Sequence, residues 1–232
     1  MFFWIESAHG FRAGPQPELV NHLPREIFVP TSFDDNDFVQ IVVAGEYANT
    51  CFKVAASEVT VDPDRHRILI RDQAYFFQNC FCLFVLVPYD KVIPIGLLAK
   101  GNHDLFFDDG RGNEVRMGSI QVAAARKSTD PDEHLYAPVE GLTVLKRRKT
   151  HQVELRGHYP NTCLAIQETR VVHRNPKVVE ILPIMKMAVR DDCEAARVPF
   201  VVKAALPEGL EGRTLIHVRA LNGKSIDQLH EF

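Results

Sequence analysis

The sequence has no apolar run near the ~18 residues that a membrane-spanning helix needs; its longest, Cys80 to Tyr89, is the length of a strand. It has no excess of positive charge. Lys and Arg number 27 against 30 Asp and Glu, for a net charge of −3 and a pI of about 6.4, which argues against a surface built to hold nucleic acid. It has no helical hydrophobic period sustained over about ten residues, Gly118 to Lys127 coming nearest. It has one tryptophan, Trp4. It has no G-x-S-x-G elbow, P-loop or G-x-G-x-x-G, and its ten histidines form no H-x-H or H-E-x-x-H. These absences remove the common hydrolase, nucleotide-binding and zinc-protease signatures. The expectation is a protein that is not an enzyme and carries no cofactor.

What is present is a repeat. Gly45-Glu-Tyr-Ala-Asn-Thr-Cys51 recurs as Gly157-His-Tyr-Pro-Asn-Thr-Cys163, with five of seven residues identical at an offset of 112. Val87-Pro88-Tyr89 corresponds to Val198-Pro199-Phe200, and Gly101 to Gly212, at an offset of 111. A cysteine stands six residues before the proline each time, at Cys82 and Cys193. One deletion in the second copy reconciles the offsets. Looking for such periods comes first, because a missed repeat misassigns a fold.

Short segments rich in Val, Ile, Phe and Thr alternate with Pro, Gly, Asn and Asp clusters. Glu58 to Val61, the turn Asp62-Pro63-Asp64 and Arg67 to Arg71 are one example. The fold class expected is all-β: two tandem immunoglobulin-like β-sandwich domains, each closed by one disulfide. The expected division is an N-terminal segment 1–25, a first domain 26–122, a charged, proline-bearing linker 123–138 and a second domain 139–232. No tryptophan lies within either repeat, so these are not antibody-type domains.

The repeat also pairs four of the five cysteines. Cys51 with Cys82, and Cys163 with Cys193, occupy equivalent places, which argues for two disulfides and an oxidising compartment. Cys80 is the spare thiol. Two residues before Cys82, it shares that residue's face of a strand and could replace it in the bridge. A zinc site on Cys80-Phe-Cys82 needs two further Cys or His ligands, and none stands at suitable spacing, so no metal is expected there.

Other candidates have plain structural readings. Asp34, Asp35 and Asp37, with Asn36 between them, offer hard oxygen ligands of the kind calcium takes. Their spacing is not that of an EF-hand and the second copy lacks them, so a turn before a strand is the preferred reading. Lys146-Arg-Arg-Lys149 reads as a solvated edge and His158 as a solvent-facing strand residue. Asp108-Asp109 and Asp191-Asp192 read as turns. The repeated Asn-Thr-Cys lacks a glycosylation acceptor and reads as a side-chain-to-backbone turn that delivers the cysteine. At the N-terminus, Met1 to Ile5 followed by Ala8-His-Gly10 reads either as the end of an export signal or as an apolar segment packed on the body.

The Tyr-x-Asn-x-Cys turn, second cysteine, Val-Pro-aromatic strand and Leu…Gly turn lie at Tyr47 to Cys51, Cys82, Pro88-Tyr89 and Leu98 to Gly101, and again at Tyr159 to Cys163, Cys193, Pro199-Phe200 and Leu206 to Gly212. Together they resemble small Ig-like β-sandwich domains of uncharacterised secreted or envelope proteins of bacteria. The resemblance implies the fold and an extracytoplasmic location, whether periplasmic, cell-surface or secreted, and brings no catalytic residues. The expected role is binding or scaffolding of a protein partner, with no nucleic acid and no transmembrane segment, and with homo- or hetero-oligomers possible. Two rival expectations are a subunit of a larger envelope assembly, burying the start of the chain and the stretch Tyr75 to Phe84, and an enzyme or inhibitor with a site between the domains.

Overall fold

The structure is a computed structural model that describes residues 16–78, 80–125, 134–147, 150–189 and 192–232. The apolar start of the chain, residues 126–133 of the linker, residues 148–149 of the basic run and Asp191 lie outside the described residues. The protein is all-β, and no helix occurs among the described residues.

The first half forms β1 (Glu18–Asn21), β2 (Glu26–Phe28), β3 (Phe33–Asp34), β4 (Val39–Tyr47), β5 (Phe52–Val54), β6 (Glu58–Asp62), β7 (Arg67–Arg71), β8 (Gln73–Phe76), β9 (Val87–Gly96), β10 (Gly101–Asp108) and β11 (Glu114–Ala123). The second half forms β12 (Val139–Arg147), β13 (Thr150–Asn161), β14 (Leu164–Asn175), β15 (Val178–Met187), β16 (Ala195–Ala205), β17 (Arg213–Ala220) and β18 (Lys224–Glu231). The segment nearest a helical period, from Gly118, is therefore strand as far as Ala123. Its β-branched and small residues pair with β10, and Ile120 and Val122 point into the core.

The sheets of the two halves correspond. The order β2-β4-β9 matches β12-β13-β16, and β6-β7-β10-β11 matches β14-β15-β17-β18. In both, the fourth element runs parallel to the sixth, as β7 to β10 and as β15 to β17. In an immunoglobulin sandwich the fourth strand, D, lies in the sheet opposite C, F and G; here the fourth, β15, sits between the third, β14, and β17 in one sheet. The first half adds a small sheet, β1-β8-β5, so residues 18–21 of the N-terminal segment are paired structure. At the far end of the linker, Ala137 N–H donates to the Pro183 carbonyl and Met185 N–H to that of Leu135, tying residues 135–137 to β15.

Each half closes a core between its sheets. Ile41, Val43 and Ile93 face Ile68, Leu105, Phe107 and Ile120 in the first. Val153, Leu155 and Phe200 face Val179, Ile181, Ile216 and Val218 in the second.

The repeated glycine and aromatic explain each other. Gly45 is the cross-strand partner of Tyr89, and Gly157 of Phe200. The aromatic lies over the glycine and stacks on the tyrosine two residues on, with centroids 4.4 Å apart for Tyr47 and Tyr89 and 4.6 Å for Tyr159 and Phe200. A Cβ at Gly45 would sit 2.7 Å from the Tyr89 ring; one at Gly157 would strike both Phe200 and the Pro138 carbonyl oxygen. Aromatic rings commonly cover such strand glycines.

Candidate functional site

The first site is built by the Asn-Thr-Cys turn. Asn49 Oδ1 accepts the Cys51 N–H at 3.0 Å, and Asn161 Oδ1 accepts that of Cys163 at 2.9 Å. The threonine then grips the residue that follows the second cysteine. Thr50 N–H donates to the Leu83 carbonyl at 3.1 Å, and Leu83 N–H to Thr50 Oγ1 at 3.0 Å. Thr162 and Glu194 repeat both bonds at 3.1 Å. Cys51 is bridged to Cys82 and Cys163 to Cys193, with Cα atoms 5.4 Å apart in each pair. These are the pairs the repeat assigns.

Beyond the cysteine the halves differ. After Cys193 come Glu194, Ala195, Ala196 and Arg197. Residues 195–197 already belong to β16, and Arg197 bonds Glu140. After Cys82 come Leu83, Phe84, Val85 and Leu86, which belong to no strand. Phe81 and Phe84 are 88% and 89% exposed, and Leu83, Val85 and Leu86 are all more than half exposed. Solitary apolar side chains on a surface are ordinary, but a contiguous group of five is not.

Cys80 stands against this bridge. Its Sγ lies 2.7 Å from Cys51 Sγ and 3.9 Å from Cys82 Sγ, and the thiol is free and exposed. The three sulfurs form a compact group, with Cys51 buried and Cys80 at the surface. With two of them joined to each other, they are no thiolate ligand set for a soft metal.

The calcium candidates are not assembled. Asp37 is buried and forms a two-pronged ion pair with Arg219 of β17, Nη1 to Oδ2 being 2.9 Å. Asp34 gives its own N–H to Asp37 Oδ2 and accepts the Asn36 N–H at Oδ1, and Asp35 accepts the Ala125 N–H, so the three carboxylates are turned to different partners.

The Asp37–Arg219 pair belongs to a polar seam between the halves that sequence reasoning missed. Glu180, 1% exposed, accepts the N–H and hydroxyl of Thr31 and the N–H of Ser32 at 2.6–2.9 Å. His217 Nδ1 and Asp227 Oδ1 lie 2.7 Å apart, and Gln40 bonds the same aspartate. An apolar patch of Phe28, Val42, Ala44, Val178 and Leu215 completes the contact. Beside Arg219 lies a cavity of about 270 Å³ lined in part by Thr31, Asp34, His134, Arg170 and Arg174. A sequence signal existed. Val39–Ala44 and Val178–Leu182 carry apolar residues on both alternating sets of positions, the mark of strands buried on two faces, whereas Leu215–Arg219 alternates Ile216 and Val218 with His217 and Arg219. Glu180, His217 and Arg219 are the polar residues of the second face.

A second buried network also escaped the sequence. Asp72, 1% exposed, accepts from Tyr89 at 3.1 Å and Ser57 at 3.0 Å and pairs with Lys91. His22 Nδ1 lies 3.1 Å from the Tyr89 hydroxyl. Desolvation holds the His22 pKa below 6.5, with Lys91 adding to the effect and Asp72 opposing it. Desolvation, reinforced by Asp72, raises Tyr47 to about 12 and raises Tyr89 further. A histidine kept neutral in the fold takes up its proton more readily when unfolded, so its contribution to stability is present above 6.5 and is lost as pH falls through the lowered value. His22→Phe is therefore expected to flatten the acid side of the stability–pH curve, as urea titrations below that pH would show. An acid limb unchanged by the substitution would contradict this environment.

Comparison with protein-family models, with curated proteins and with solved structures returns no match. Among the described residues, no helix is long and apolar enough to cross a membrane.

Proposed function

We propose that this protein is a non-enzymatic, extracytoplasmic binding protein. In this reading it comprises two tandem sandwich domains of immunoglobulin-like size, carrying the strand order described above, each with a bridge between the turn after its second framework strand and the segment before its fifth, and the first domain presents residues 80–86 to a partner protein. The observation that carries the reading is the contrast at one place in one framework. Where the second half has Glu194-Ala-Ala-Arg197, the first exposes Leu83-Phe-Val-Leu86 to solvent, though the framework itself manages with polar residues there. Such a patch, fixed at its base by a disulfide and by the Thr50–Leu83 bonds, is partly pre-organised for binding. Residues 84–86 also belong to no strand, unlike their counterparts, and Val85 N–H turns back to the Leu83 carbonyl, so the segment offers its side chains rather than a strand edge.

A protein suits this patch better than a lipid surface does. No Lys or Arg occurs from Asp72 to Asp90, whereas segments that bind anionic membranes flank their apolar residues with basic ones. The two disulfides suit an oxidising compartment.

A photo-crosslinking residue placed at position 84 is expected to capture a discrete protein in the native envelope or secreted fraction. The same residue at position 195, the equivalent of position 84 in the second half, is expected to capture none. Adducts only with lipid at position 84, or the same adducts from both positions, would overturn the reading.

A further inference from the structure

We propose that Cys51, Cys80 and Cys82 form a thiol–disulfide exchange site, in which the bridge to Cys51 passes between Cys82 and Cys80. The geometry supports it. The exposed Cys80 Sγ is already 2.7 Å from Cys51 Sγ, nearer than it is to Cys82. Cys51 is buried and is therefore the shared sulfur.

The step balances without any added oxidant. Cys80 loses its proton to solvent, and the thiolate lone pair attacks Cys51 Sγ. The Cys80–Cys51 bond forms as the Cys51–Cys82 bond breaks, and Cys82 leaves as a thiolate that takes a proton from solvent. One disulfide and one thiol are present before and after, as in any exchange through thiolate attack.

Neither bridge is favoured by chain entropy, since they span 31 and 29 residues and the loop term varies only with the logarithm of length. The balance is set by how residues 80–86 pack: they belong to no strand, and the two Thr50–Leu83 bonds that hold the Cys82 register are what the exchange has to loosen. Cys80 Sγ already lies 2.7 Å from Cys51 Sγ, so closing the new bond moves it by under about 1 Å, while Cys82 and the residues after it are released from the tether. The exchange thus repositions Phe81 and the residues after Cys82, and it moves the free thiol from Cys80 to Cys82. The second half supplies an internal control. At the place of Cys80-Phe-Cys82 it has Asp191-Asp-Cys193, with no third sulfur. The inference stands whether or not residues 80–86 bind a partner.

The test uses the full-length wild-type protein, held at mildly alkaline pH, quenched with acid, labelled with a maleimide and mapped without reduction. Label is expected on both Cys80 and Cys82, with Cys51–Cys80 peptides rising with time to roughly a tenth or more of the total, while Cys163–Cys193 stays unlabelled and unshuffled. Label confined to Cys80 at every time would overturn the proposal. Cys82→Ser gives a second reading. It is expected to yield a Cys51–Cys80 bridge in folded protein, and recovery of Cys51 and Cys80 as free thiols would overturn the proposal equally.

Discussion

Arg219→Ala is expected to destabilise the protein by about 3 to 5 kcal/mol, the cost of stranding one member of a buried ion pair. The Asp37 and Arg219 side chains are 3% and 6% exposed, so neither water nor salt can take the place of the lost partner. Arg219 also bonds the Ser32 carbonyl at 3.3 Å and lies over the Tyr136 ring. Its truncation therefore loosens the turn before β4 as well as the seam. For a chain of this length each kcal/mol shifts the melting temperature by roughly 2–4 °C. A drop of roughly 6 to 20 °C should follow. The control is the pair Asp37→Leu with Arg219→Met, which removes both charges and should recover most of the loss. If Arg219→Ala costs under about 1 kcal/mol, the pair behaves as a surface salt bridge, and the buried seam is wrong.

The second large effect is an asymmetry between the bridges. Cys193→Ser should cost about 3 to 4 kcal/mol, because opening a 30-residue loop frees the unfolded chain by that much. Cys82→Ser removes the corresponding sulfur from a loop of 31 residues. It should cost under about 1 kcal/mol, because Cys80 closes nearly the same loop. Adding Cys80→Ser to Cys82→Ser should then restore the full penalty. Equal costs for the two single variants, measured by urea denaturation without reductant, would count against a substitute bridge.

Much of the framework was legible from residue chemistry alone. The Asn-Thr-Cys motif reads as a turn because an Asn side chain mimics a backbone turn, and the structure shows that bond at both places. The cysteine pairs follow from their matched distance to the Val-Pro-aromatic strand. Strand order did not follow, since a parallel β15–β17 contact depends on how a chain crosses between sheets and leaves no mark on its local pattern. The role of Asp37 was not legible either. Turn chemistry accounts for an aspartate cluster before a strand, and only tertiary packing reveals that one carboxylate reaches a guanidinium 182 residues away. Glu180 could have been suspected as a polar residue within a doubly buried strand, but His217 and Arg219 alternate with Ile216 and Val218 and read as an ordinary solvent-facing set. The apolar stretch at 80–86 was visible as a run of residues, but its exposure was not. Hydrophobic runs are usually buried, and only the fold shows that β9 begins after it.

What the two halves share is framework, and the first alone exposes an apolar segment beside its disulfide. The most direct test of that claim is the affinity of the protein captured at position 84, measured for wild type and for Phe81→Asp with Phe84→Asp. Two aromatic anchors worth about 1 kcal/mol or more each imply a loss of at least about thirtyfold, with the melting temperature unchanged because both side chains are solvent-exposed. An affinity equal to that of wild type would contradict the account and return residues 80–86 to the status of an unused loop.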